Sequence, residues 1–121
     1  MSNKTIKGIT NSQMRKLVES KTPFVNGNKT VIAYYHGNGC YVVNSYGAHY
    51  PMVIWEPVTN MWFINEDGSS RTTNRHKSLC RPYNTTMYDL STTAMKRLSY
   101  EGYNYLVAQR ILGYDLLELV A

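Results

Sequence analysis

Residues 31–65, VIAYYHGNGCYVVNSYGAHYPMVIWEPVTNMWFIN, carry the clearest structural signal in the chain. They contain apolar runs rich in β-branched and aromatic residues, separated by short polar stretches such as HGNG (36–39) and PVTN (57–60). Glycine and asparagine adopt the positive φ angles of tight hairpins at low cost. The pattern predicts three or four antiparallel strands joined as a meander within 24–66. The candidate strands are 29–35, 40–46, 50–56 and 61–66.

Helical spacing of apolar residues precedes this strand region. Residues 10–21 place Met14, Leu17 and Val18 on one face of a helix, and Pro23 is expected to end it. On the other side of the strands, residues 73–79 have room for one or two helical turns.

A longer helix is predicted to begin near 89–93, because apolar residues then recur at helical spacing over about five turns. Gly102 weakens this helix and can break it, and Gly113 is a natural C-terminal end. The sequence therefore predicts an α+β fold in which the meander is packed by an N-terminal and a C-terminal helix. At this length we expect a single domain spanning residues 1–121.

The charge of the chain is basic and unevenly distributed. The net charge is +5, with +7 over residues 1–97 and −2 over residues 98–121. A basic body favours polyanionic partners such as nucleic acid or an acidic protein face. The same charge is also ordinary for a small soluble domain, so charge alone leaves both interpretations open.

The apolar runs are all far shorter than the ~20 residues that a membrane-crossing helix requires. The N-terminal residues MSNKTIKGITNSQ (1–13) lack the apolar core of a signal peptide. We therefore expect a cytoplasmic protein without a membrane partner. In that compartment Cys40 and Cys80 are expected to be reduced thiols.

The segment SSRTTNRHKSLCR (69–81) concentrates cationic and titratable side chains without a single acid. It admits three interpretations: a surface that contacts phosphate or a partner, a structural attachment of the sheet, or a solvated loop or helix face. The candidate partner-binding residues are Arg71, Arg75, Lys77, Arg81 and Tyr83. A second basic patch is formed by Lys4, Lys7, Arg15 and Lys16. The chain has eleven tyrosines and only two phenylalanines. This ratio is typical of base-stacking surfaces and protein interfaces, and equally of a sheet core whose outer rings carry a polar group.

Two pairs of histidine and cysteine share the spacing H-x3-C, namely His36 with Cys40 and His76 with Cys80. Together they could form a tetrahedral zinc site with two nitrogen and two sulfur ligands. The usual short Cys-Cys spacing is missing, so coincidental placement is the stronger interpretation and no cofactor is predicted. A thiol nucleophile beside His36 is conceivable, but the sequence lacks every standard catalytic motif. We therefore expect a protein that is not an enzyme.

Residues 45–79 resemble a segment found in small proteins encoded by phages and plasmids, with the pattern S-Y-x-T/A-x-x-P followed by S-x-T-T-S-R/K-H. The matching residues here are Ser45, Tyr46, Pro51, Ser70, Thr72, Thr73, Arg75 and His76. Asn74 stands where serine is commoner in the pattern. The resemblance covers less than a third of the chain. It implies a phage or mobile-element protein working inside bacteria, and it implies no catalytic residues.

Small basic proteins of this kind often act by occupying a host macromolecule. The leading expectation is therefore a phage protein that binds and blocks a host protein or nucleoprotein complex, as an anti-CRISPR inhibitor does; this is an analogy between kinds of protein. The alternative is a DNA- or RNA-binding accessory protein that uses a basic, tyrosine-rich surface.

Overall fold

A computed structural model describes residues 4–47 and 50–109 of the 121-residue chain. Seven β-strands and four α-helices are assigned in those residues. The strands are β1 (Ile6–Ile9), β2 (Phe24–Asn26), β3 (Val31–Tyr35), β4 (Tyr41–Ser45), β5 (Tyr50–Glu56), β6 (Met61–Asn65) and β7 (Met87–Leu90). The helices are α1 (Met14–Glu19), α2 (Arg71–Cys80), α3 (Thr92–Glu101) and α4 (Tyr103–Ala108), and a 3₁₀ turn (Asn11–Gln13) precedes α1.

All seven strands form one mixed sheet in the order in which they occur along the chain. Strands β2 to β6 pair antiparallel, whereas β1 pairs parallel to β2 and β6 pairs parallel to β7. Each parallel pair is joined through a helix, α1 in the first case and α2 in the second, because two parallel strands need a long crossover connection.

The prediction of a three- or four-stranded antiparallel meander is therefore wrong. The segment 31–65 does form antiparallel neighbours, β3 to β6. The strands β1, β2 and β7 have only three or four residues each, too few to show a periodic pattern. Three of the four residues of β1 are exposed, so that strand lacks even an apolar face. The edges of the sheet therefore depend on tertiary contacts that a local pattern does not encode.

Helices cover both faces of the sheet, which gives three layers. On the first face, Met14 and Val18 of α1 and Cys80 of α2 join a core cluster with Phe24 and Tyr41. On the second face, α3 and α4 supply the cluster residues Met95, Leu98, Tyr105 and Leu106. The central strands β4, β5 and β6 are buried on both faces, as strands between two helical layers must be.

The long C-terminal helix is interrupted at Gly102. This residue has φ +64, a left-handed conformation that glycine adopts without strain. It ends α3 and begins α4. The predicted helix end at Gly113 and the apolar residues 114–121 lie outside the described residues.

The longest helices assigned in 4–47 and 50–109 are α2 and α3, with ten residues each. Within those ranges, neither they nor any other helix has the length and apolar character needed to cross a membrane.

Candidate functional site

Helix α2 carries the basic segment singled out in the sequence, and it divides that segment between two faces. Ser70 begins the helix, because its side-chain oxygen accepts a hydrogen bond from the backbone N–H of Thr73 at 3.1 Å. Thr73, His76 and Cys80 face the sheet and are buried, whereas Arg71 and Arg75 are exposed. The helical spacing therefore separates structural side chains from side chains available to a partner.

Three buried polar residues join α2 to strand β4, and we call them the packing network: Ser45, Thr73 and His76. The Ser45 hydroxyl lies 3.1 Å from the Thr73 hydroxyl and 3.0 Å from Nδ1 of His76. Ser45 is 1% exposed and His76 is 4% exposed. The ring of Tyr46 lies with its centroid 5.8 Å from that of His76. The two ends of the segment that carries the phage-type resemblance thus meet in space.

The environment of His76 favours its neutral form. Burial lowers the pKa of the imidazole first, and the positive charge of Arg75 lowers it further. In the neutral ring Nδ1 either accepts the Ser45 hydroxyl proton or donates to the hydroxyl oxygen, depending on the tautomer.

Lys77, one of the predicted partner-binding residues, is engaged inside the protein. Its ammonium donates to the carbonyls of Asn65 and Asp67, at 2.9 and 3.3 Å, and to the Tyr50 hydroxyl at 3.2 Å. An ammonium has three donors, and these contacts use all of them. Lys77 thus holds α2 to the loop that follows β6, and its ammonium has no donor left for a partner.

The predicted cations that remain open to a partner lie at the beginning, in the middle and directly after the end of α2. We call Arg71, Arg75 and Arg81 the arginine row. All three are exposed, and within the described part of the chain the assigned ion pair is Arg97 with Glu101, on α3. At 1.5 Å per helical residue the row extends about 15 Å, because Arg81 directly follows the helix. Between the arginines stand exposed Thr72, Asn74 and Ser78, so the outer face of α2 is polar throughout.

The C-terminal end of α2 is stiffened by Arg15 of α1. Its Nε donates to the carbonyl of Arg81 at 2.7 Å, and Nη2 donates to the carbonyl of Ser78. A cation at the C-terminal carbonyls is favoured by the helix dipole. The same guanidinium lies 3.9 Å from the ring centroid of Tyr83, and the backbone N–H of Tyr83 donates to the Glu19 carboxylate at 2.8 Å.

These contacts give Tyr83 a fixed position although its side chain is 65% exposed. Tyr83 follows Arg81 by two residues, and the Arg15 guanidinium lies against its ring and donates to its hydroxyl at 2.8 Å. Sequence reasoning missed this role of Arg15, because its partners are more than 60 residues away along the chain. Of the second basic patch, Lys7 and Lys16 remain exposed on β1 and α1, while Arg15 serves the fold.

The four residues of the zinc hypothesis lie apart. Cys80 belongs to the core cluster on the first face of the sheet and Cys40 to the cluster on the second face. His76 contacts Ser45, whereas His36 lies between the rings of Tyr34 and Tyr100. Among residues 4–47 and 50–109 there is no group of three or more His, Cys, Asp or Glu that could hold a metal ion.

Neither cysteine is prepared to act as a nucleophile. Both thiols are fully buried, and burial raises the pKa of each to about 12. The thiolate is the reactive form, and it is nearly absent at neutral pH when the pKa is so high. Cys40 contacts the carbonyl of Leu98 at 3.9 Å and Cys80 contacts the sulfur of Met14 at 3.9 Å. Both side chains act as core residues.

Comparison with known proteins finds no matching protein family, no matching characterised protein and no matching solved structure.

Proposed function

We propose that the protein is a non-enzymatic nucleic-acid-binding protein whose arginine row holds the sugar–phosphate backbone of a DNA or RNA strand. The observation that carries this proposal is the composition of the outer face of α2. It presents Arg71, Arg75 and Arg81 without ion-pair partners among the described residues. The exposed side chains between them are Thr72, Ser78 and Asn74, whose amide bonds the backbone of Ser69. Guanidinium, hydroxyl and amide groups are the side-chain donors that proteins most often direct at phosphate oxygens.

The polarity of this face favours nucleic acid over a protein partner. Protein interfaces usually have an apolar core, whereas protein–DNA interfaces are more polar and far more positively charged. The length of the row, about 15 Å, matches about four stacked nucleotides at 3.4 Å per nucleotide. The exposed Tyr83 ring at the end of the row is suited to stack on a base.

The inner contacts of α2 support the same proposal. The packing network and Lys77 hold the helix on the sheet from beneath, and Arg15 holds its C-terminal end. A cationic row on a rigid helix loses little conformational entropy on binding, which favours affinity. The resemblance of residues 45–79 to segments of phage and plasmid proteins supports a site of action inside a bacterial host.

The test is the salt dependence of binding to a fluorescein-labelled single strand, followed by fluorescence anisotropy. Three arginine–phosphate contacts predict that log K falls with log salt with a slope of about −2 for a single strand. Absence of binding at about 50 mM salt, the low end of the usual range, contradicts the proposal. So does binding whose slope is close to zero.

A second candidate is the blocking of a host protein or nucleoprotein complex through an acidic face. It is favoured by Tyr83 and its stacked Arg15, since tyrosine and arginine are the residues most often found at the centres of protein interfaces. The protein used as bait in a host-cell lysate, with and without nuclease, separates the two candidates. One host protein retained after nuclease favours blocking, whereas complete loss of bound material favours the nucleic-acid proposal.

A further inference from the structure

A cleft of about 340 Å³ opens where the chain passes from α2 into β7. Its walls include two asparagines, two threonines and two aromatic rings: Asn60, Trp62, Asn84, Thr85, Thr86 and Tyr88. Pockets for small ligands usually measure about 300–1,000 Å³, so this cleft is at the small end of the range. Its volume suits a single group of about the size of a nucleobase.

The cleft offers hydrogen-bonding groups that the fold leaves unused. Within the described residues, the side chains of Asn84 and Thr86 make no hydrogen bond, while that of Thr85 donates to the carbonyl of Tyr83. The Asn60 carbonyl oxygen accepts from the indole N–H of Trp55 at 2.8 Å, which leaves the amide N–H groups of Asn60 free. An asparagine amide can donate and accept at once, as the edge of a nucleobase requires.

The aromatic walls of the cleft are fixed in place. Trp62 is 9% exposed, and its ring centroid lies 5.8 Å from the Lys21 ammonium. Tyr88 is half-buried and packs on Phe63, with the ring centroids 5.9 Å apart. Rings beside amide groups are the combination with which proteins hold unstacked bases of single strands.

The cleft is also close to the arginine row. Arg81 precedes Asn84 by three residues, so their Cα atoms are at most about 11 Å apart. A nucleotide with its base in the cleft therefore lies near Arg81, the last residue of the row. We propose that this cleft holds one unstacked nucleobase of the single strand whose phosphates lie along Arg71, Arg75 and Arg81. This inference rests on the proposed nucleic-acid function and adds a preference for single strands that carry bases.

The experiment compares two labelled strands of equal length and charge, one with bases and one abasic throughout. Both offer the same phosphates, so the ratio of their affinities reports contacts to bases, whether in the cleft or on Tyr83, and variants of the cleft residues separate the two. The wild-type protein is expected to bind the strand with bases about fivefold to tenfold more tightly. Asn84→Gly is expected to reduce that advantage by about fivefold without weakening the abasic strand. Glycine suits this position because Asn84 has φ +52, where alanine would add backbone strain.

Thr86→Val provides a second variant, since it removes an exposed hydroxyl while keeping the shape of the side chain. Asn104→Ala, which removes an exposed amide on α4, is the control and should leave both affinities unchanged. Equal binding of the two strands by the wild-type protein overturns the inference and leaves the proposed function standing. An advantage that survives both Asn84→Gly and Thr86→Val also overturns it. If neither strand binds, the proposed function fails and the inference fails with it.

Discussion

Ser45 connects α2 to the sheet, and its removal should destabilise the protein in a measurable way. The substitution Ser45→Ala deletes one buried hydroxyl that contacts Thr73 at 3.1 Å and His76 at 3.0 Å. It leaves both partners buried without this hydrogen bond, which typically costs about 1–3 kcal/mol. We therefore expect the free energy of unfolding to fall by about 2 kcal/mol.

For a domain of this size, each kcal/mol lowers the melting temperature by about 4 °C. Ser45→Ala should thus melt about 8 °C below the wild-type protein in thermal unfolding followed by circular dichroism. Urea unfolding should give the same free-energy difference with an unchanged m-value, because the folded state stays compact.

The matched control is Ser78→Ala, the same chemical change on the outer face of α2. Ser78 is exposed and its hydroxyl makes no hydrogen bond among the described residues, so its loss should change stability by less than about 0.5 kcal/mol. Equal stabilities of Ser45→Ala and Ser78→Ala would refute the structural role of the packing network. A double-mutant cycle with Thr73→Val should show a coupling energy of at least about 0.5 kcal/mol.

Three further predictions concern the two histidines, Lys77 and the two cysteines. Burial lowers the pKa of both His76 and His36, so the unfolded chain takes up protons at a higher pH than the folded protein. The contribution of the histidines to stability should therefore be complete above pH ~6.5, and it should decline as the pH falls below that value, by at most about 1.4 kcal/mol per pH unit for each histidine. Urea unfolding at several pH values measures this decline. His76→Asn should make the decline shallower, and an unchanged pH profile would contradict the prediction. Lys77→Met should lower the free energy of unfolding by about 1–2 kcal/mol, measured by thermal unfolding, and leave the affinity for a nucleic-acid strand unchanged; a large loss of affinity would return Lys77 to the binding surface. Cys40 and Cys80 should resist Ellman's reagent in the native protein and react once urea unfolds it, because both thiols are buried with a pKa raised to about 12; prompt reaction of the native protein would contradict their core positions.

The sequence predicted the central strands because their signal is local. Between residues 31 and 65, runs of apolar residues are separated by short stretches of turn residues. The pairing of β3 to β6 needs only short hairpins. The edge strands were missed because β1, β2 and β7 are short and pair through helical crossovers. In particular, β7 ends directly before Ser91, the N-cap of α3. The predicted helix start at 89–93 therefore includes the last two residues of this strand.

The basic segment shows the same limit at the level of the site. The sequence predicts one or two helical turns over residues 73–79, whereas α2 has ten residues, Arg71–Cys80. The different role of Lys77 does not follow from composition and spacing, because its acceptors come from β5 and from residues 65–67. The same holds for His76, whose partner Ser45 lies 31 residues earlier in the chain. A sequence pattern locates cations, whereas tertiary contacts decide which of them remain free.

The central claim is that the outer arginines of α2 bind a partner and contribute little to folding. The most direct test uses the double variant Arg71→Gln/Arg75→Gln. Two quantities are measured: the slope of log K against log salt for binding to a single strand, followed by fluorescence anisotropy, and the melting temperature. Lys96→Gln/Arg97→Gln, which removes the same charge from α3 on the opposite face of the sheet, is the control. We expect the α2 variant to melt like the wild-type protein and its slope for a single strand to be shallower by about 1.4. The α3 variant should keep the wild-type slope. An α2 variant that binds with the wild-type slope but melts well below the wild-type protein would contradict the claim and assign these arginines to the fold.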